Sequence, residues 1–136
     1  MGEAAFSTVR DVLHADPSVA AAIVYGSAAR GQLRPDSDLD VAVLRASDPA
    51  TAEPPLLEQL GALGEAAGRD VHLTDLEAVD CGLRRSIFAE GIRLFDRSEG
   101  ALRRLEHATA IEYVDWEHAR RIIDAGLKRH LESAGG

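Results

Sequence analysis

Cysteine is nearly absent from this chain of 136 residues. Cys81 stands alone, which excludes an internal disulfide and any thiolate zinc cluster built within one chain. Aromatic residues make up only 4% of the sequence, with a single tryptophan, Trp116. Basic charge is also short: 15 Lys and Arg face 23 Asp and Glu, for a formal net charge of −8. An acidic surface repels a phosphate backbone, so direct nucleic-acid binding is not expected. No apolar run approaches the ~20 residues that a membrane helix needs, and the first residues lack a signal peptide's charged and apolar regions. A soluble, cytoplasmic α/β (α+β) domain spanning residues 1–136 is the expectation.

Hydrophobic periodicity divides the chain. Phe6, Val9 and Leu13 recur at helical spacing, and Asp16-Pro17 ends that helix. The run from Val19 to Tyr25 is apolar, short and stopped by Gly26-Ser27, which predicts a buried strand. Residues 28–38 read as a turn or loop. Leu39 to Leu44 predicts a second strand, with Asp40, Ala42 and Leu44 on one face. Pro54 and Pro55 suit a helix start, followed by Leu56, Leu60, Leu63 and Ala67 in a stripe that Gly68 would cap. Asp70 to Asp75 alternates, placing Asp70, His72 and Thr74 on one side of a third strand. A helix is expected from about Glu77 to Glu90, then a short edge strand from Ile92 to Phe95. A long C-terminal helical segment covers about 98–132, carrying Tyr113, Trp116, Ile123, Leu127 and Leu131 on one face.

Chemistry concentrates in one stretch: Gly26-Ser27, ten residues, then Asp38-Leu39-Asp40. A strand delivers Gly26-Ser27 to a turn where backbone N–H groups and a hydroxyl can hold phosphate oxygens. Glycine lets the backbone approach a ligand closely. Two aspartates separated by two on a strand point to the same face. Adjacent carboxylates repel unless a cation lies between them, and hard oxygen donors suit Mg²⁺. A phosphate turn beside such a pair is the minimum for metal-assisted phosphoryl or nucleotidyl transfer.

Gly26-Ser-Ala-Ala-Arg-Gly31 with Ser37-Asp-Leu-Asp40 resembles the minimal nucleotidyltransferases, small members of the DNA polymerase β superfamily. The segments Gly68-Arg-Asp-Val-His-Leu-Thr-Asp-Leu76 and Glu90-Gly-Ile-Arg-Leu-Phe95 fall where such proteins carry similar ones. The resemblance implies a nucleotidyltransferase fold, a small mixed β-sheet flanked by helices. It implies that Gly26 and Ser27 contact the triphosphate of ATP, that Asp38 and Asp40 bind Mg²⁺, and that Arg30 and Ser37 occupy frequent family positions in nucleotide binding. It also implies a partner, a HEPN-domain toxin ribonuclease. The nucleotidyltransferase then acts as antitoxin and transfers AMP from ATP to a tyrosine of the toxin.

One position departs from the family pattern. Where a third carboxylate is usual, this chain reads Val71-His72-Leu73. Imidazole is a poor Mg²⁺ ligand but can serve as a base near neutral pH. Three readings remain open here: His72 acts as base, Asp70 substitutes as a metal ligand, or catalysis is impaired. Asp70 lies two residues away on the same predicted face, roughly 6.6 Å along the strand. An impaired site would leave an antitoxin that neutralises by binding alone, and a small-molecule (aminoglycoside-type) nucleotidyltransferase is a further alternative.

The remaining residues invite plainer readings. His14, His107, His118 and His130 show no metal-ligand spacing. Cys81, beside Asp80 at a helix start, is expected to be structural. Arg84-Arg85, Arg103-Arg104 and Arg120-Arg121 are expected on solvated helix faces interleaved with acids. The apolar face of the last helix is expected to pack within the chain, with partner contact the lesser alternative.

Overall fold

The computed structural model describes residues 2–31, 38–46, 64 and 68–135. In chain order these form α1 (Gly2–His14), β1 (Val19–Tyr25), β2 (Leu39–Arg45), β3 (Val71–Asp75), α2 (Cys81–Glu90), β4 (Ile92–Asp96) and α3 (Ala101–Gly135). The four strands make one mixed sheet in the order β3-β2-β1-β4. β1 runs antiparallel to both β2 and β4, whereas β2 and β3 are parallel. The expected mixed sheet, its edge strand β4 and the long C-terminal helix are all present. Of the helix expected after Pro54-Pro55, only Gly64 is described; the rest of it lies outside the described residues. Gly68, its expected cap, has φ 68°, the left-handed conformation that a terminating glycine supplies.

Alternation along the strands splits the core into two layers. Val24, Leu39, Val41, Val43 and Val71 face Val9 and Leu13 of α1, with Phe6 and Leu73 packed alongside. Ala21, Ile23, Ala42 and Leu44 face the other way, onto Leu76, Ile87 of α2 and Leu102 of α3. Each fully buried Leu, Ile or Val contributes about 1.5–3 kcal/mol. Gly91, between α2 and β4, admits no side chain: an added Cβ would meet Ile23 Cγ2 and the Ile87 carbonyl oxygen at 2.4 Å. That close approach lets α2 turn directly back into the sheet.

Two arginines act as seams. Arg97, just past β4, donates to the carbonyl oxygens of His14 (2.8 Å), Val19 (2.8 and 3.0 Å) and Asp16, so it ties the α1–β1 connection to the sheet edge. Arg84 corrects the expectation of a solvated pair. It is buried, and donates to the carbonyl oxygens of Leu76 (2.7 Å), Val79 (2.9 Å) and Glu77 (3.4 Å), with Glu112 at 3.4 Å. The segment 76–80 turns without a helix, leaving carbonyls that need donors, and Arg84 supplies them. This turn is also why α2 begins at Cys81 rather than Glu77. Asp75 accepts from the Glu77 N–H, and Asp80 caps the helix by accepting from Leu83 N–H at 2.9 Å.

The C-terminal helix corrects a second expectation. Its first turns pack as foreseen, with Leu102 and Thr109 buried. Beyond them Trp116, Ile123, Leu127 and Leu131 are exposed, as are Ile111, Val114 and Ile122. The helix outruns the sheet and α2, so nothing among the described residues covers that length. No helix among the described residues is long and apolar enough to cross a membrane.

Candidate active site

The parallel pairing of β2 with β3 places Asp40 opposite His72, and the antiparallel pairing of β1 with β2 places Tyr25 opposite Asp40. Tyr25, Asp40 and His72 therefore form one row across three strands, at the end of the sheet where β1 gives way to Gly26. Asp38 immediately precedes β2. The His72 ring lies between the two carboxylates: Nε2 is 3.5 Å from Asp38 Oδ2 and Nδ1 is 3.5 Å from Asp40 Oδ1. All three side chains remain open to solvent, with Asp40 the least exposed at 35%. A neutral imidazole donates from one nitrogen only, an imidazolium from both. A ring placed this way can take a proton and have both nitrogens face negative charge.

Gly26 is fitted to Asp40. Its φ is 73°, and a Cβ there would stand 2.9 Å from Asp40 Oδ2. Any side chain would push the carboxylate away as well as strain the backbone. The turn that follows closes on itself, with Arg30 N–H donating to Gly26 O at 3.3 Å and Gly31 N–H to Ala28 O at 3.2 Å. Ala28 is buried in the α1-facing layer, anchoring the turn, while Ser27 is half-buried beside it. Arg30 is exposed and pairs with Glu90 at the end of α2, at 3.7 Å. Ser37 lies outside the described residues. Asp70 sits just ahead of β3, its carbonyl accepting the Leu39 N–H at 2.9 Å. Among the described residues, no hydrogen bond or ion pair links its carboxylate to Asp38 or Asp40.

Sequence reading passed over one member of this surface. Tyr25 reaches across β2 to Thr74 of β3, hydroxyl to hydroxyl at 2.9 Å. The bond spans the small Ala42, which pairs with Thr74 in the sheet register. It ties the strand carrying Gly26 to the strand carrying His72. The alternating pattern put Thr74 on His72's side, but its partner depended on the strand order.

The family described as polymerase beta nucleotidyltransferase matches residues 7–100, which include the turn, both aspartates and His72. The chain belongs to the polymerase beta nucleotidyltransferase family. No curated protein matches it by sequence. Among solved structures it is similar to a toxin–antitoxin complex crystallised with AMP-PNP, with TM-score 0.72 and 22% identity over 90% of this chain and 97% of that one. It is similar also to the complex of a tri-AMPylated HEPN toxin with its MNT antitoxin from Shewanella oneidensis, with TM-score 0.68 and 21% identity over 93% and 98%. A third is an MntA–HpeT toxin–antitoxin complex carrying aspartate-to-glutamate changes two positions apart, with TM-score 0.70 and 22% identity over 90% and 97%. These likenesses extend the nucleotidyltransferase fold over nearly the whole chain.

The donor chemistry of this nucleotidyltransferase suits a divalent cation. Asp38 and Asp40 offer hard carboxylate oxygens, and Mg²⁺ is typically held by one or two carboxylates plus water and substrate phosphate. Among the described residues no cluster of three or more His, Cys, Asp or Glu is arranged to hold a metal alone. Water and a nucleotide would therefore complete the shell. Cys81 takes no part: burial pushes its thiol up from the ordinary value, reinforced by Glu112, and its Sγ points to the Thr109 carbonyl.

Proposed function

We propose that this chain is a Mg²⁺-dependent nucleotidyltransferase that serves as the antitoxin of a HEPN toxin, transferring AMP from ATP to a tyrosine of that ribonuclease. The observation that carries the reading is the meeting of Asp38, Asp40 and His72 beside Gly26, on a family fold whose solved neighbours are complexes of this kind. Gly26 and Ser27 cradle the triphosphate, with Arg30 and Ser37 flanking it. Asp38 and Asp40 hold Mg²⁺, which supplies Lewis-acid stabilisation of the charge developing on the phosphate.

His72 serves as the base in place of the usual third carboxylate. The tyrosine oxygen attacks the α-phosphorus of ATP, the bond to the bridging oxygen breaks, and pyrophosphate leaves. The tyrosine proton passes to an imidazole nitrogen of His72. The ring lies 3.5 Å from each of the two carboxylates, which places the base beside the residues proposed to hold the metal. General-base assistance of this kind contributes about 10²–10⁴-fold. This role needs no help from Asp70, although Asp70 as a further metal ligand belongs to the same proposal.

The position of the ring also favours a second reading. An imidazole already seated between the carboxylates occupies space that a cation would share, which fits a degenerate site whose protein neutralises its toxin by binding only. Cells expressing the toxin separate the two. Under the transferase reading, the Asp38→Asn/Asp40→Asn variant no longer protects them although it still forms the complex. Full protection by that variant would establish neutralisation by occlusion.

A further inference from the structure

The face of α3 that packs against the domain does not end where the packing ends. Leu102, Leu105 and Thr109 follow one side of the helix onto the core, and Tyr113, Trp116, Ile123, Leu127 and Leu131 continue the same side outward. Trp116 is 45% exposed, Ile123 66% and Leu131 62%. The helix from residue 110 to 135 extends roughly 39 Å at 1.5 Å per residue. Helices in water draw most of their stability from burying an apolar face, and beyond the half-buried Tyr113 the large apolar side chains of this half are exposed. At its root the aromatics are already held in place: Tyr113 and Trp116 stack with centroids 5.7 Å apart, Arg85 lies 4.3 Å over Tyr113, and Arg120 lies 5.4 Å over Trp116.

We propose that this outer half of α3 is the docking surface for the HEPN toxin subunit, through an apolar face on the toxin. The inference rests on the antitoxin reading above and names the surface that serves it. The nucleotidyltransferase family match stops at residue 100, one residue before α3, so the helix lies outside the matched region. Residues 1–100 are under three quarters of the chain, yet the toxin-bound neighbours match over 90–93% of it, which must include much of α3. A second copy is the competing occupant, and the solution state of the chain alone separates the two. Residues 110–136 themselves carry four basic and five acidic side chains, so recognition there is apolar rather than electrostatic.

The test uses this chain of 136 residues and a candidate HEPN-domain partner. Ile123→Gln/Leu127→Gln replaces two exposed side chains with good helix formers, so circular dichroism should show an unchanged fold. Its affinity for the HEPN subunit should fall about 30-fold or more. Ile111→Gln, on the opposite side of the helix, should bind as the parent does. Equal binding by all three, or equal losses, would overturn the assignment of this face. Sedimentation of the chain alone should show a monomer; a dimer abolished by the double substitution would make a second copy the occupant. Intact mass of the HEPN subunit separates this proposal from the transferase reading. AMP addition with unaltered binding by the double variant sinks only the docking surface. Binding lost with no AMP addition by the parent sinks only the transferase.

Discussion

Leu102 and Leu131 lie on the same side of the same helix, yet Leu102 is wholly buried and Leu131 is 62% exposed. The inner half of α3 closes the core over Ile23, Leu44 and Ile87; the outer half presents the same periodic side to solvent. A hydrophobic stripe states which side of a helix seeks cover and nothing about what covers it. The same lesson applies wherever this chain places like residues in unlike surroundings, and each such pair is a test.

The largest contrast should come from the leucines themselves. Leu102→Ala removes a filled core position and should cost about 2–5 kcal/mol in urea unfolding, whereas Leu131→Ala should change stability by less than about 0.5 kcal/mol. Comparable losses at both would mean that the outer half is covered within the chain after all. The neighbouring arginines sharpen the contrast for polar groups. Arg84→Ala strands the carbonyls of Leu76 and Val79 and should destabilise by about 2–3 kcal/mol; Arg85→Ala forfeits only a cation–π contact, about 0.5–1 kcal/mol.

Gly26 and Gly31 share nearly the same backbone, φ 73° and 72°, but only Gly26 faces a neighbour, Asp40 Oδ2 at 2.9 Å. Alanine at either should cost about 1–2 kcal/mol for the left-handed conformation. Only Gly26→Ala should also reduce AMP transfer, because it displaces the Asp40 carboxylate that is proposed to hold Mg²⁺. The smallest effect concerns Cys81. Its thiol is buried with a raised pKa, so it stays protonated at a pH where exposed cysteines begin to ionise. Thiol labelling at about pH 8.5 should be slow in the native protein and fast in urea, where the ordinary value near 8.5 returns.

Local pattern made much of the molecule legible. The apolar run before Gly26 and the alternation from Leu39 located β1 and β2, and spacing alone put Asp40, Ala42 and Leu44 on one face, where Ala42 and Leu44 now line a single core layer. The motif also carried the family, which the match over residues 7–100 shows. What stayed hidden was whatever depended on strand order or on packing between distant elements. That His72 sits between Asp38 and Asp40 follows from parallel pairing of β2 with β3, across some thirty intervening residues. Arg84 looked like its neighbour because an Arg-Arg pair carries no mark of which side chain will meet stranded carbonyls. The Tyr25–Thr74 bond was invisible for the same reason: 49 residues separate its ends.

Asp38, Asp40 and His72 are proposed to work together in transfer. The most direct test is the intact mass of the HEPN subunit after incubation with the chain, ATP and Mg²⁺. One or more added AMP units are predicted with the parent protein, with the rate falling about a thousandfold for Asp38→Asn/Asp40→Asn and about a hundredfold or more for His72→Ala. No added mass alongside a stable complex would contradict it, and His72 would then mark a site that binds its toxin without modifying it.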